Sequence, residues 1–204
     1  DGIEREAYEE GNIAFRNWTD SLQEGKVKDP FGLNAYAREL AMGWEENEKA
    51  MDYKIYCDMD GVLVDFDKGY LKLTGQKLDG EHRSDTDFWD PINKAGYDFW
   101  INLEWLGDGK RLWKYIEKHN PELLSAPSRQ NESRVAKHDW VNKELPGVHL
   151  ILRSAKHKKD FAGPKNILID DRIDNINGWR ESGGIGIHHV SAKHTIDQLK
   201  VLGL

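Results

Sequence analysis

The stretch Tyr53-Lys54-Ile55-Tyr56-Cys57-Asp58-Met59-Asp60-Gly61-Val62-Leu63-Val64-Asp65 is an apolar, β-prone run that leads into two carboxylates and a glycine. It predicts a buried β-strand over residues 53–58, followed directly by a turn at Gly61. Asp58 and Asp60 lie one residue apart at the strand end, where like charges repel each other and lose solvation. A bound cation or a shared proton relieves that repulsion. The pattern therefore favours a metal-dependent phosphoryl site.

The Asp58-x-Asp60-Gly61 pattern is also compatible with a solvated turn and with a calcium loop. Asp-x-Asp-Gly also has the turn propensities of an ordinary solvated loop. A calcium loop places oxygen ligands at alternate positions over about twelve residues and carries its glycine later. Because Gly61 comes early and the following residues 62–64 are apolar, the sequence argues against calcium.

Downstream of residue 53, short β-prone runs alternate with helical stretches, which is typical of a parallel sheet built from βαβ units. The helix at the C-terminal end is expected to be capped by Ser191. The fold class is therefore predicted as α/β, a Rossmann-like parallel sheet. Its predicted strands are 53–58, 121–125, 148–152, 166–170 and 185–188, and its predicted helices are 131–145, 173–182 and 192–201.

Two further segments accompany this sheet. Residues 1–50 show helical apolar spacing on both sides of a loop at 29–32, which predicts a helical hairpin as an N-terminal appendage to a domain at 51–204. Residues 66–120 are too many for a simple crossover and predict a small, mostly helical cap insertion over the carboxyl edge of the sheet. This insertion contains four of the eight tryptophans, which suits a flat aromatic substrate.

Composition predicts a soluble, cytoplasmic protein. The chain is 32% charged, it has no apolar run near the roughly 18 residues of a membrane span, and it shows no signal-peptide pattern. The single Cys57 excludes an internal disulfide and is interpreted as a small buried hydrophobe. Residues 1–50 hold about 12 acids and 6 bases, which argues against a phosphate-backbone footprint there. Nucleic acid is therefore not expected as a partner.

The run Asp58-Met59-Asp60-Gly61-Val62-Leu63 resembles the first motif of the haloacid dehalogenase superfamily. Its continuation Val64-Asp65-Phe66 resembles the 5'(3')-deoxyribonucleotidase branch, as do residues 99–109 and 137–141. The resemblance covers roughly residues 53–190 and implies a phosphatase domain. It implies that Asp58 attacks phosphorus as a nucleophile, and that Asp60 protonates the leaving oxygen and then activates water.

A hydroxyl residue is the second element that the resemblance implies, as a donor to a phosphate oxygen. Ser125 ends the predicted strand 121–125, and Ser128 follows it. Hydroxyl and backbone donors of this kind stabilise charge on a transferring group. Ala126 departs from the two adjacent hydroxyls of the nucleotidase branch, so phosphate contacts would rely more on Ser128 or on backbone groups.

A lysine that holds the phosphate is the third implied element. Lys156 and Lys158 both follow the predicted strand 148–152. Spacing from Arg153 favours Lys156, whereas spacing to Ala162 favours Lys158. Both lysines remain candidates, and at least one lysine of this basic loop is expected to be solvated.

Adjacent acids end the predicted strand 166–170. Helix capping would explain one of Asp170 and Asp171 more readily than both, whereas Mg²⁺ relieves such a pair with its preference for hard oxygen ligands. By resemblance, Asp58, the backbone carbonyl of Asp60 and one of this pair bind Mg²⁺. Asp171 is expected as the direct ligand, with Asp170 behind it or in its place.

These elements imply a Mg²⁺-dependent phosphomonoesterase that hydrolyses nucleoside monophosphates through an aspartyl phosphate. Phe66, Trp89 and Trp100 are the candidates for base selection. One alternative is a phosphatase for another small phosphate ester or for nucleic-acid ends. An alternative of another class is a binding or scaffold protein that acts through the N-terminal hairpin, which could also join copies of the chain into a homo-oligomer.

Overall fold

A five-stranded parallel sheet forms the centre of the protein. The structure is a computed structural model that describes residues 53–78 and 86–204, so the hairpin predicted at 1–50 lies outside the described residues. The strand order is β3-β2-β1-β4-β5, and all five predicted strands are confirmed. Their bounds are β1 Lys54–Cys57, β2 Glu122–Ser125, β3 Leu150–Leu152, β4 Asn166–Asp170 and β5 Ile185–His188.

Helices fill the connections between the strands. The three helices predicted after residue 130 are confirmed, and Ser191 caps the last of them by accepting from the His194 backbone N–H at 3.2 Å. Short 3₁₀ helices cover Glu117–His119 and Ala155–Phe161. Within the described ranges, no helix is both long enough and apolar enough to cross a bilayer. The α-helices are α1 Phe66–Thr74, α2 Thr86–Ala95, α3 Tyr97–Ile101, α4 Gly109–Ile116, α5 Asn131–Glu144, α6 Ile173–Glu181 and α7 Ala192–Val201.

The central strand β1 is buried on both faces. Ile55 and Cys57 belong to the larger hydrophobic cluster on one side of the sheet. Tyr56 belongs to the cluster on the other side, where its ring meets Trp179 with centroids 5.4 Å apart. Parallel sheets covered on both faces have continuous apolar strands. This explains why polar residues appear in β1 and β4 mainly where the strands end.

The described residues of the insertion between β1 and β2 are mainly helical, as predicted, and they share the larger core. Phe66 of α1 meets Phe99 and Trp100 of α3, with ring centroids 5.4 and 5.8 Å apart. The Trp140 indole on α5 donates to the Leu103 carbonyl oxygen at 2.9 Å. The insertion is therefore packed directly onto α5. Its role as a cap over a substrate stays a prediction.

The strand order changes direction next to β1. The chain adds β2 and β3 on one side and then crosses to add β4 and β5 on the other. Cys57 pairs with Ile169, and the Asp58 backbone N–H donates to the Ile169 carbonyl oxygen at 2.9 Å. Asp58 and Asp170 therefore emerge side by side at the carboxyl ends of β1 and β4. Open α/β sheets bind their ligands at such a reversal.

Candidate active site

A buried lysine joins the acids at the ends of β1 and β4. Lys158 Nζ lies 2.8 Å from Asp58 Oδ2 and 2.7 Å from Asp170 Oδ2. All three side chains are buried. Lys156, the other candidate, is exposed on the same 3₁₀ helix. The structure therefore brings Lys158, and not Lys156, to the acids.

The buried charges in this cluster shift one another's pKa. Burial by itself would lower the pKa of Lys158, but the carboxylates of Asp58 and Asp170 outweigh burial and raise it well above its ordinary value. Burial raises the pKa of Asp170, and Asp58 adds to that rise while Lys158 opposes it. One ammonium for two carboxylates leaves an excess of negative charge. That excess favours a bound cation.

Asp171 completes a group of acids that fits a divalent cation. Carboxylate oxygens of Asp58, Asp170 and Asp171 lie within 4.8 Å of one another. A Cβ added to Gly61 would lie 2.3 Å from Asp171 Oδ2, and Gly61 has a φ of +77°. Glycine alone permits both the turn and this close approach. An all-oxygen donor set of this kind suits a hard ion such as Mg²⁺.

Asp170 is also held from the side of α6. Asn175 Nδ2 donates to its two carboxylate oxygens at 2.9 and 3.0 Å, and the Arg172 backbone N–H donates to Oδ1 at 2.9 Å. Helix capping alone therefore does not explain the position of the Asp170 carboxylate, because the Asn175 side chain also binds both of its oxygens. This support fixes the carboxylate beside Lys158.

A second buried lysine contacts Asp60. Lys137 Nζ on α5 lies 2.7 Å from Asp60 Oδ2, 3.3 Å from Ser125 Oγ and 5.0 Å from the centre of the Trp100 ring. Burial of the carboxylate raises the pKa of Asp60, while Lys137 opposes the rise. The other oxygen, Asp60 Oδ1, is buried without a hydrogen-bond partner among the described residues. A buried carboxylate oxygen without a partner is unusual, which makes the Asp60 carboxyl a candidate for proton exchange.

Sequence reasoning did not assign Lys137 to the site, although a signal for it was present. The buried face of α5 carries Ser133, Ala136, Trp140 and Val141, and Lys137 lies on that face. A lysine on a buried helix face needs a buried partner, because an unpaired charge there is costly. The pattern could have identified Lys137 as a candidate, but its partner Asp60 could not be read from the local sequence.

The two predicted hydroxyl residues lie in different surroundings. Ser125 is fully buried at the end of β2, where its hydroxyl oxygen faces Lys137. Ser128 is partly exposed and accepts from the Gln130 backbone N–H at 3.3 Å, in the turn that precedes α5. The structure therefore brings Ser125 to the catalytic candidates. A phosphate contact from Ser128 stays a prediction.

The predicted aromatic residues also differ in exposure. Phe66 and Trp100 are buried in the core, with 7% and 3% of their surfaces exposed. Trp89 on α2 is only partly buried, and its ring meets Phe88 edge to face. Among the three candidates, Trp89 thus keeps the most surface for a ligand. Base selection by these rings stays a prediction.

Comparisons with known proteins bear on the fold. No family model and no curated protein matches the chain. A haloacid dehalogenase-like family hydrolase from Xanthomonas campestris is similar in structure, with a TM-score of 0.50 and 9% identity over 76% of this chain and 93% of that one. The chain has the haloacid dehalogenase fold.

Two further solved structures are similar to the chain. A predicted phosphatase from Clostridium acetobutylicum has a TM-score of 0.46 and 14% identity over 74% of this chain and 99% of its own. A hydrolase from Streptococcus pneumoniae has a TM-score of 0.44 and 13% identity over 75% and 100%. In this chain β1 pairs with β4 on one side and with β2 on the other, which brings Asp58, Asp170 and Ser125 to one edge of the sheet.

Proposed function

We propose that the protein is a phosphomonoesterase of the haloacid dehalogenase superfamily with Asp58 as its nucleophile. The observation that carries the proposal is the contact of Lys158 with both Asp58 and Asp170, next to Asp171. A carboxylate nucleophile and a phosphate ester repel each other. Nearby positive charge offsets that repulsion and stabilises the charge on the transferring group.

A cation belongs to this proposal. The carboxylates of Asp58, Asp170 and Asp171 and the backbone carbonyl of Asp60 would hold Mg²⁺, which neutralises charge on the transferring phosphoryl group. The protein contributes to cation binding by holding these carboxylate oxygens close together. Asn175 and Lys158 orient Asp170, and Gly61 leaves room for Asp171.

The reaction has two steps that exchange one proton through Asp60. Asp58 attacks phosphorus, the bond to the leaving ribose oxygen breaks, and Asp60 gives its proton to that oxygen. Water then attacks the aspartyl phosphate, Asp60 takes a proton from it, and inorganic phosphate leaves Asp58 free. Burial supports the protonated form of Asp60 needed first, because it raises the pKa of that carboxyl, and Lys137 supports the ionised form needed second.

The proposed substrates are nucleoside monophosphates, above all deoxyribonucleotides. The resemblance of residues 64–66 and 99–109 to the nucleotidase branch supports this choice, as does the tryptophan-rich insertion. Among the three candidate rings, Trp89 keeps the most exposed surface, and we propose it as the ring that stacks on the base. Replacing it by alanine is expected to raise KM for thymidine monophosphate more than for ribose 5-phosphate.

The test measures Mg²⁺-dependent phosphate release from a panel of nucleotides and sugar phosphates. Asp58→Asn keeps the shape of the nucleophile and removes its charge, so kcat is expected to fall at least about a thousandfold. Asp174→Asn is the matched control, because Asp174 is an exposed acid in the first turn of α6. Equal activity of Asp58→Asn and wild type would contradict the nucleophile assignment. Turnover of sugar phosphates alone would contradict the substrate and leave the phosphatase proposal intact.

A further inference from the structure

A basic groove runs along β3, an edge strand of the sheet. It has a volume of about 510 Å³, and residues 150–152 form part of its lining. The charged and aromatic side chains that line it are Arg134, His138, His149, Arg153 and Phe161. Within the described residues, no carboxylate lines it. The groove therefore favours an anionic ligand.

This groove adjoins the candidate active site. The Arg153 backbone N–H donates to the Ser125 carbonyl oxygen at 3.1 Å, and Ser125 Oγ lies 3.3 Å from Lys137 Nζ. Helix α5 serves both sites. It contributes Lys137 to Asp60, and it contributes Arg134 and His138, which are one turn apart and share a face, to the groove.

The chemistry of the lining suits a chain of nucleotides better than an isolated anion. Arginine binds phosphate oxygens through two parallel N–H groups. The Arg153 guanidinium lies over the Phe161 ring at 5.9 Å from its centroid, and flat groups of both kinds stack on bases. Phosphate contacts and stacking surfaces along one groove are the combination that binds single-stranded nucleic acid.

We propose that the groove binds the inner nucleotides of a single-stranded oligonucleotide whose terminal phosphate reaches Asp58. This inference rests on the proposed function and extends its substrates from mononucleotides to phosphate-ended oligonucleotides. The acidic balance that argued against a nucleic-acid footprint belongs to residues 1–50, whereas the groove is lined by described residues between 134 and 161. A mononucleotide occupies the Asp58 site alone, so groove substitutions affect only the longer ligand.

The experiment measures binding without turnover, in the Asp58→Asn background. Fluorescence anisotropy follows hexathymidylate with a phosphate at its 5' end, at its 3' end or at neither end, and with a dye at an end that carries no phosphate. The groove variant is Arg134→Gln with Arg153→Gln. The control is Lys193→Gln with Lys200→Gln, which removes the same charge from α7, next to the opposite edge strand β5. Circular dichroism checks that each variant is folded.

The groove variant is expected to bind the better of the two oligonucleotides at least about tenfold more weakly. Its salt dependence, as the slope of log K against log salt, should become shallower by about 1.4, since each lost single-strand contact contributes about 0.7. The control should match the parent, and affinity for thymidine monophosphate should be the same in all three proteins. These results would support the proposal.

Three results would overturn it: no oligonucleotide binding by the parent at low salt, equal losses in the groove variant and the control, or equal binding of oligonucleotides with and without a terminal phosphate. The proposed function fails separately. Absence of phosphate release by the wild-type protein from every ester would overturn the phosphatase, whereas the anisotropy result would still decide whether the groove binds.

Discussion

Lys158 Nζ lies 2.8 Å from Asp58 Oδ2 at the carboxyl end of the central strand, and 1% of the lysine side chain is exposed. Burying such a pair removes two charges from water, and well-packed apolar residues of similar size are often equally stabilising. The pair is therefore weak evidence for a purely structural role. Its position at the reversal of strand order is where an α/β sheet binds ligands.

Substitution of Lys158 is expected to damage both stability and activity. Lys158→Met leaves Asp58 and Asp170 without their ammonium partner, so the free energy of unfolding measured in EDTA should fall by about 3–5 kcal/mol, and kcat should fall about a hundredfold or more. Lys156→Met is the matched control on the same 3₁₀ helix and should change stability by less than about 0.5 kcal/mol. Urea denaturation and phosphate release measure the two effects. Greater loss of activity in Lys156→Met would contradict the assignment.

Lys137 is expected to control the proton on Asp60. Its positive charge lowers the pKa of that carboxyl against the effect of burial, so Lys137→Met should raise the pKa further. Since water attack needs ionised Asp60, the acid limb of the pH–kcat profile should move to higher pH, and kcat near neutral pH should fall about tenfold or more.

Two comparisons make the Lys137 prediction specific. Lys137→Arg keeps the charge and should restore part of the acid limb. Lys143→Met removes an exposed lysine from the same helix, with 67% of its side chain accessible, and should leave the profile as in wild type. A lower kcat with an unmoved acid limb in Lys137→Met would point to packing alone.

Alanine substitutions at Gly61 and Gly75 distinguish the effect of backbone strain from the effect of crowding against Asp171. Both have positive φ, +77° and +74°, but only a Cβ on Gly61 meets another group, Asp171 Oδ2 at 2.3 Å. Alanine at either position should cost about 1–2 kcal/mol of stability, because both force a left-handed conformation on a residue with a Cβ. Gly61→Ala alone should raise the Mg²⁺ concentration for half-maximal activity about tenfold or more, since it displaces a metal ligand. Equal Mg²⁺ dependence in the two variants would contradict a role for Asp171.

The strands and the helices after residue 130 could be predicted because the residue pattern within each segment determines its secondary structure. β1 and β4 are continuous apolar runs, as two covered faces require, and their acids stand where the ladder ends. The contacts between elements could not be predicted in this way. Sequence spacing did not decide whether Lys156 or Lys158 contacts the acids. The fold decides it, because Lys158 is buried and Lys156 is exposed.

The sequence also did not show which aromatic rings of the insertion are exposed. The rings of Phe66 and Trp100 pack on each other, whereas Trp89 keeps part of its surface exposed. Which ring is buried depends on how α2 packs on α1 and α3 and on how α3 packs on α5, and these contacts join residues that are distant in the sequence. Lys137 was missed for the same reason, because its partners lie on β2 and in the turn after β1.

His189 should make stability depend on pH near neutrality. Burial lowers the pKa of His189, and the negative charge of Asp108 partly opposes that effect. Its Nδ1 atom forms a hydrogen bond with Thr195 Oγ1 at 2.8 Å. Below the unfolded-state pKa of about 6.5, the unfolded chain binds a proton that the folded protein does not, so the free energy of unfolding falls as pH falls. His189→Gln should lose less stability than wild type between pH 7.5 and 5.5 in urea denaturation. Because burial also lowers the pKa of His119, part of the pH dependence should remain in His189→Gln. Identical slopes in the wild type and His189→Gln would show that His189 takes up its proton equally in both states.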